Sequence, residues 1–164
     1  NEDLSKSNKL NKIGYVPQIS LSSGATFPAT VEEVVMANLY SKIGFMRFPK
    51  KEHKEKVKEA LRIVNMEEYS KRLIGNLSGG QQQRVMIAKA LVSDPKIIIL
   101  DEPTTGIDAK SEEQLYALLN KLNKESNITI IIVSHDFAKI QQYTNKIFVV
   151  ENNKVSLMKN ENEV

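Results

Sequence analysis

The chain is 164 residues long, with no cysteine, no tryptophan and a formal charge of +3 from 23 basic and 20 acidic side chains. That length can bury a core without covalent staples, and 41% hydrophobic with 26% charged residues excludes a disordered or fibrous chain. Zero cysteine excludes disulfides and thiolate metal sites, and the longest aliphatic runs, Ile97–Leu100 and Ile130–Val133, are far too short to span a membrane.

In chain order, Asn1–Asn11 is polar, lacks an initial methionine and shows no charged-then-apolar leader. It reads as a cut edge of something longer. Ile13–Val16 is a short strand stopped by Pro17, which cannot donate to a ladder, and Gln18 follows it. A loop bearing serine, glycine and proline spans Ser20–Pro28. Thr30-Val31-Glu32-Glu33 has the spacing of a capping box, opening a helix with Val31, Val34, Val35 and Asn38 in its first turns.

Lys50–Met66 fits a second helix, with Val57, Leu61 and Val64 at helical spacing. The basic charge concentrates here: from Arg47 to Arg62, seven Lys or Arg stand against three Glu, an excess of four that exceeds the net charge of the whole chain. Glu55 and Glu59 are placed for helical ion pairs, and His53 reads as solvated surface. With 19 lysines and four arginines, the chain lacks the arginine-bearing stripe that reads bases and clamps phosphates, so nucleic acid is not an expected partner. Tyr15, Phe27, Tyr40, Phe45 and Phe48 read as packing residues for the core or an interface.

The second half alternates. Gly79–Val92 is a helix ended by Asp94-Pro95, and Ile97–Leu100 is an all-apolar run typical of a buried parallel strand. Asp108 can cap a helix reaching Glu125, along which Leu115, Leu118, Leu119 and Leu122 form one stripe. Ile128–Val133 is the next strand, Phe137–Tyr143 a short helix, and Ile147–Val150 with Lys154–Met158 a hairpin around Asn152-Asn153. The fold class is α/β: a parallel sheet covered by helices, with a helical segment inserted from Ile19 to about Arg72.

Three segments carry chemistry. Asp101-Glu102 emerges where an apolar strand meets solvent, the edge at which open α/β sheets bind ligands. Adjacent side chains there point differently, so one acid can hold Mg²⁺ while the other polarises a water. Asp101-Glu102-Pro103 as a simple strand-ending turn is the plainer alternative. In Leu77-Ser78-Gly79-Gly80-Gln81, Ser78 and Gln81 have capping-box spacing around two glycines. Free amides, no Cβ and the positive helix end make an anion-binding surface, against the alternative of a plain glycine-rich helix start. His135 follows a strand in Val133-Ser134-His135-Asp136, where an imidazole can orient a phosphate or serve only as a structural residue.

Taken in order, Gln18, Leu77–Gln81, Ile97–Glu102, Thr105–Asp108 and His135 resemble the ABC-type ATPase domain from its Q-loop onward, over Ile13 to Met158. The likeness implies a P-loop NTPase-like sheet with its N-terminal strands missing. It divides the chain into residues 1–18 (end of the N-terminal core and Q-loop), 19–76 (α-helical subdomain) and 77–164 (C-terminal core with signature, Walker B, D-loop and H-loop). It implies ATP and Mg²⁺ as cofactors. Asp101 would hold Mg²⁺ with Gln18 helping, Glu102 would be the general base, and His135 would contact the γ-phosphate. Ser78, Gly79, Gly80 and Gln81 would bind ATP held by a second copy in a head-to-tail homodimer, and Asp108 would couple the two sites.

Phe27–Val35 after Tyr15-Val16-Pro17-Gln18 resembles the ATPase subunits of bacterial zinc and manganese importers. That likeness implies a membrane permease docked on the helical subdomain, an extracytoplasmic substrate-binding protein reached indirectly, and a place on the inner face of the cell membrane. No P-loop, G-x-x-x-x-G-K-[ST], occurs in the sequence. These residues alone are therefore expected to lack normal ATP affinity and hydrolysis, and to self-associate through an exposed strand. A soluble non-transport ABC ATPase and an interaction module natively without a P-loop are the competing expectations.

Overall fold

The apolar run before Pro17 forms strand β1 (Ile13–Val16) in the computed structural model, which describes residues 12–18, 28–44 and 48–158. It pairs in parallel with β2 (Ile97–Asp101), and β2 pairs in parallel with β3 (Thr129–Val133), giving the order β1-β2-β3. The registers align Val16 with Leu100 and Asp101 with Val133, so all three strands end along one edge. Strand parity then sorts the side chains. Val16, Ile98 and Leu100 are buried on one face, whereas Tyr15, Ile131 and Val133 are exposed on the other.

Helix α4 (Gly79–Leu91) covers the buried face and packs on β1. A Cβ on Gly14 would lie 3.1 Å from that of Ala90, so this glycine lets helix and strand close together. Val85, Ile87, Ala88 and Leu91 of α4 join one core that also includes Val31, Val35, Leu39, Val57 and Leu61 of the helical segment. Helical segment and sheet thus share one helix as their common wall.

The helical segment contains α1 (Val31–Met36), α2 (Tyr40–Ile43) and α3 (Lys51–Ile63), with 3₁₀ turns between and after them. Thr30 and Glu33 close the expected capping box reciprocally. The Thr30 amide and hydroxyl hold the Glu33 carboxyl below its ordinary value. Asn38 donates to the Lys89 carbonyl (2.8 Å) and the Ser93 hydroxyl (2.9 Å), fastening the segment to the far end of α4.

Helix α3 is shorter than its periodicity predicts. Asn65 takes φ 57°, its N–H bonds the Arg62 carbonyl at 3.0 Å, and that of Met66 bonds the Leu61 carbonyl at 2.8 Å. This is a Schellman ending, which turns the chain after Val64 and buries Met66. His53 is not simply solvated: its Nδ1 accepts the Lys50 amide at 2.9 Å and closes the start of α3. Glu59 pairs with Arg62 at 2.6 Å, as the spacing predicts. Tyr15, Tyr40 and Phe48 are exposed by 58%, 52% and 88%, so none is a core residue. Phe27, Phe45 and the loop at 20–27 lie outside the described residues.

Helix α5 (Ala109–Ser126) is capped by Asp108, buries Leu115, Leu119 and Leu122, and ends at left-handed Asn127. The chain divides into two compact units, 1–133 and 134–164. The second contains α6 (Phe137–Tyr143), capped by Asp136, and an antiparallel hairpin of β4 (Ile147–Glu151) with β5 (Lys154–Met158). Asn152 and Asn153 both adopt positive φ, as a two-residue primed turn demands.

Candidate active site

The C-terminal edge of the sheet gathers most of the acidic chemistry. Asp101 is the last residue of β2 and half-buried. Glu102 follows in the left-handed region at φ 45°, and its N–H donates to the Val133 carbonyl at 2.9 Å. A glutamate has no intrinsic reason to sit there, and such backbone costs about 1 kcal/mol or more unless the surroundings enforce it. Here β3 enforces it. Backbone strain directs Glu102 away from the strand's alternation just after Asp101, so the two acids are held differently. Gln18, two residues past β1, leaves the sheet along the same edge and is exposed.

Tyr15 also reaches this edge, although packing was its expected role. It stands opposite Ile99 in the parallel register, on the face that Asp101 shares two residues farther on. Its hydroxyl donates to Asp101 Oδ2 at 3.1 Å. That bond, then desolvation, then the negative charge of Asp101 raise the phenol above its ordinary value of 10.0. A phenol raised in the fold stabilises below its unfolded value, and that stabilisation is lost as pH rises through the folded one. The absorbance titration of Tyr15 should therefore come later than that of a free tyrosine. In Asp101→Asn its midpoint should fall back toward 10; an unchanged midpoint would exclude the bond as the cause.

The signature segment forms as its spacing predicts. Ser78 caps α4 by accepting the Gln81 amide, and the Ser78 amide donates to Gln81 Oε1 at 3.0 Å. Gln82 adds an anchor not expected from the sequence, its Nε2 donating to the Leu77 and Ile74 carbonyls at 3.1 and 3.3 Å. Gln83 is buried, and its Nε2 meets no acceptor among the described residues. Gly80 is buried against the first turn of α5.

After Glu102 the chain turns through Gly106, at φ 77°, into Asp108. Asp108 Oδ2 accepts the Ser111 hydroxyl at 2.6 Å and Oδ1 accepts the Ser111 amide at 3.0 Å. The hydroxyl bond first, then the amide bond, hold this carboxyl below its ordinary value. The D-x-x-S spacing could have pointed to Ser111. His135 belongs to the second unit, exposed in the turn before α6, where the Phe137 amide donates to its carbonyl at 3.1 Å.

The fold is α/β, a three-stranded parallel sheet with an acidic pair at its C-terminal edge, where open α/β sheets bind ligands, and a capped glycine-rich helix packed on it. The family model described as "ABC transporter" matches residues 1–105. The chain belongs to that family. It is 45% identical over 139 residues to the zinc uptake system ATP-binding protein ZurA of Listeria innocua, covering 85% of this chain and 54% of ZurA. It is 41% identical over 140 residues to the high-affinity zinc uptake system ATP-binding protein ZnuC of Bacillus subtilis, covering 85% of this chain and 60% of that protein. The manganese transport system ATP-binding protein MntB of Listeria innocua is 45% identical over 139 residues, with 85% and 57% covered. The chain thus spans a little over half the length of these relatives.

Among solved structures, cbiO1 of Clostridium perfringens, part of the ABC transporter complex cbiONQ, superposes with a TM-score of 0.75 at 34% identity. That match covers 90% of this chain and 57% of cbiO1. The ADP conformation of MJ1267, an ATP-binding cassette of an ABC transporter, gives 0.78 at 25% identity, covering 95% of this chain and 65% of the other. The expected α/β fold with a parallel sheet and covering helices is the observed one.

Proposed function

We propose that the intact protein is the ATP-hydrolysing subunit of a zinc or manganese importer. The single observation that carries hydrolysis is Glu102, forced into a left-handed backbone beside Asp101 at the binding edge of the sheet. Strain of this kind is kept where it serves chemistry. The metal assignment rests on the zinc and manganese systems named for ZurA, ZnuC and MntB.

In this reading Glu102 accepts a proton from the attacking water. Ser78, Gly79, Gly80 and Gln81 present the start of α4 to the phosphates of ATP held by a second copy, in a head-to-tail pair. Asp108 would couple the two sites, and His135 would contact the γ-phosphate and keep the water aligned. The donor set suits magnesium. Among the described residues no group of three or more His, Cys, Asp or Glu could hold a metal ion. Magnesium is commonly held by one or two carboxylates, with water and substrate phosphates filling the rest. Asp101 would hold it, with Gln18 assisting, and bound magnesium would neutralise charge on the transferring phosphate.

The partners proposed are a second ATPase subunit, a permease docked on the helical segment and, through it, a substrate-binding protein outside the cell. The protein would lie against the inner face of the membrane; no helix among the described residues is long and apolar enough to cross one. Phosphate release from ATP by the full-length protein tests the enzyme reading. It should proceed with Mg²⁺ and fall to background when a chelator removes the ion. Hydrolysis indifferent to chelation, or none under any condition, would contradict it.

A further inference from the structure

Gly80 is glycine for a reason found inside the chain. A Cβ at this position would stand 2.6 Å from Ser111 Cβ and 2.7 Å from its Oγ. The Cβ of Ser111 is fixed by its own backbone, so no rotamer change opens that space; the first turn of α5 would have to move. Ser111 is also the residue whose amide and hydroxyl occupy both carboxylate oxygens of Asp108. One turn farther along the same pair of helices, Arg84 of α4 donates to Gln114 of α5. Helices α4 and α5 therefore meet at two successive points, and the one at the helix starts is Gly80 against Ser111.

We infer that Ser111 is a positioning residue, seating the signature turn at Gly80 on one side and aiming Asp108 on the other, so that the two motifs move as one body. This rests on the proposed roles of Ser78–Gln81 and Asp108 in ATP use. It adds the element that joins them. A side chain at residue 80 acts, on this inference, by displacing Asp108 as well as by crowding a ligand.

The test uses the full-length protein in its original form and three variants, with thermal midpoint and ATPase kcat and KM as readouts. Gly80→Ala should lower the midpoint by about 4 °C or more and cut kcat at least tenfold. Adding Ser111→Gly removes the obstructing Cβ together with the hydroxyl, so the double variant should recover most of the midpoint and raise kcat to, but not above, that of Ser111→Ala. Ser111→Ala keeps the Cβ but not the hydroxyl. It should leave the midpoint nearly unchanged and lower kcat about threefold at unaltered KM. A double variant no better than Gly80→Ala, or Ser111→Ala with the kcat of the original protein, would overturn the inference. If no form hydrolyses ATP, the proposed function fails separately, while rescue or non-rescue of the midpoint still decides whether Ser111 seats Gly80.

Discussion

Glu102→Gln is expected to slow ATP hydrolysis by the full-length protein about 10²–10⁴-fold, the range over which a positioned general base contributes. Glutamine keeps the volume and the backbone of glutamate but cannot take the proton, so Mg-ATP binding should survive within a few-fold. Glu102→Gly makes the companion case. It removes the carboxylate and also relieves the left-handed strain at φ 45°, which only glycine adopts freely. That variant should be inactive yet melt no lower than the original protein. Activity and stability would then separate at one residue, as expected where strain serves function. Phosphate release, nucleotide titration and thermal denaturation on the three forms check this. Wild-type turnover in Glu102→Gln would remove the general-base role.

Leu100→Ala should cost about 2–5 kcal/mol, the usual range for emptying a fully buried leucine site. Leu100 has 0% exposure on the central strand, hydrogen-bonded through its neighbours on both sides. It is also the residue before Asp101, so a collapse there reaches the acidic edge directly. Urea unfolding should show a lower midpoint at unchanged slope. Leu100→Met, which conserves volume, should cost less than about 1.5 kcal/mol. Val133→Ala, at the end of β3 where the side chain is 52% exposed, should cost still less. Equal losses in Leu100→Ala and Val133→Ala would contradict the assignment of the buried face.

Local signals made most of the fold legible. Caps at Thr30, Ser78 and Asp108 act over three residues, and the apolar runs of β2 and β3 or the leucine stripe of α5 declare their own period. The end of α3 is not legible in the sequence because periodicity continues through Val64, whereas the chain leaves the helix through left-handed Asn65. Of the core and interface roles expected for the aromatic residues, the core is excluded for Tyr15 for a different reason. Tyr15 faces out because β1 has its buried side at Gly14 and Val16, and no composition argument chooses between the two faces of a four-residue strand.

The site divides along the same line. Motif order reached every residue proposed for ATP chemistry, since each motif is contiguous. What it missed depends on residues far apart in sequence. Tyr15 meets Asp101 only through strand register, 86 residues apart, and Gly80 meets Ser111 only because α4 and α5 pack together. The glycine pair is read as an anion-binding surface; at Gly80 the surface that comes close is Ser111 of the same chain.

Cellular accumulation of zinc and manganese, compared between cells with the intact gene and cells in which it encodes Glu102→Gln, tests the proposed role most directly. The variant should accumulate less of one of these two metals from limiting medium, with magnesium content unchanged and the protein present at normal level. Undiminished zinc and manganese in cells containing only the variant would contradict an ATP-driven metal importer.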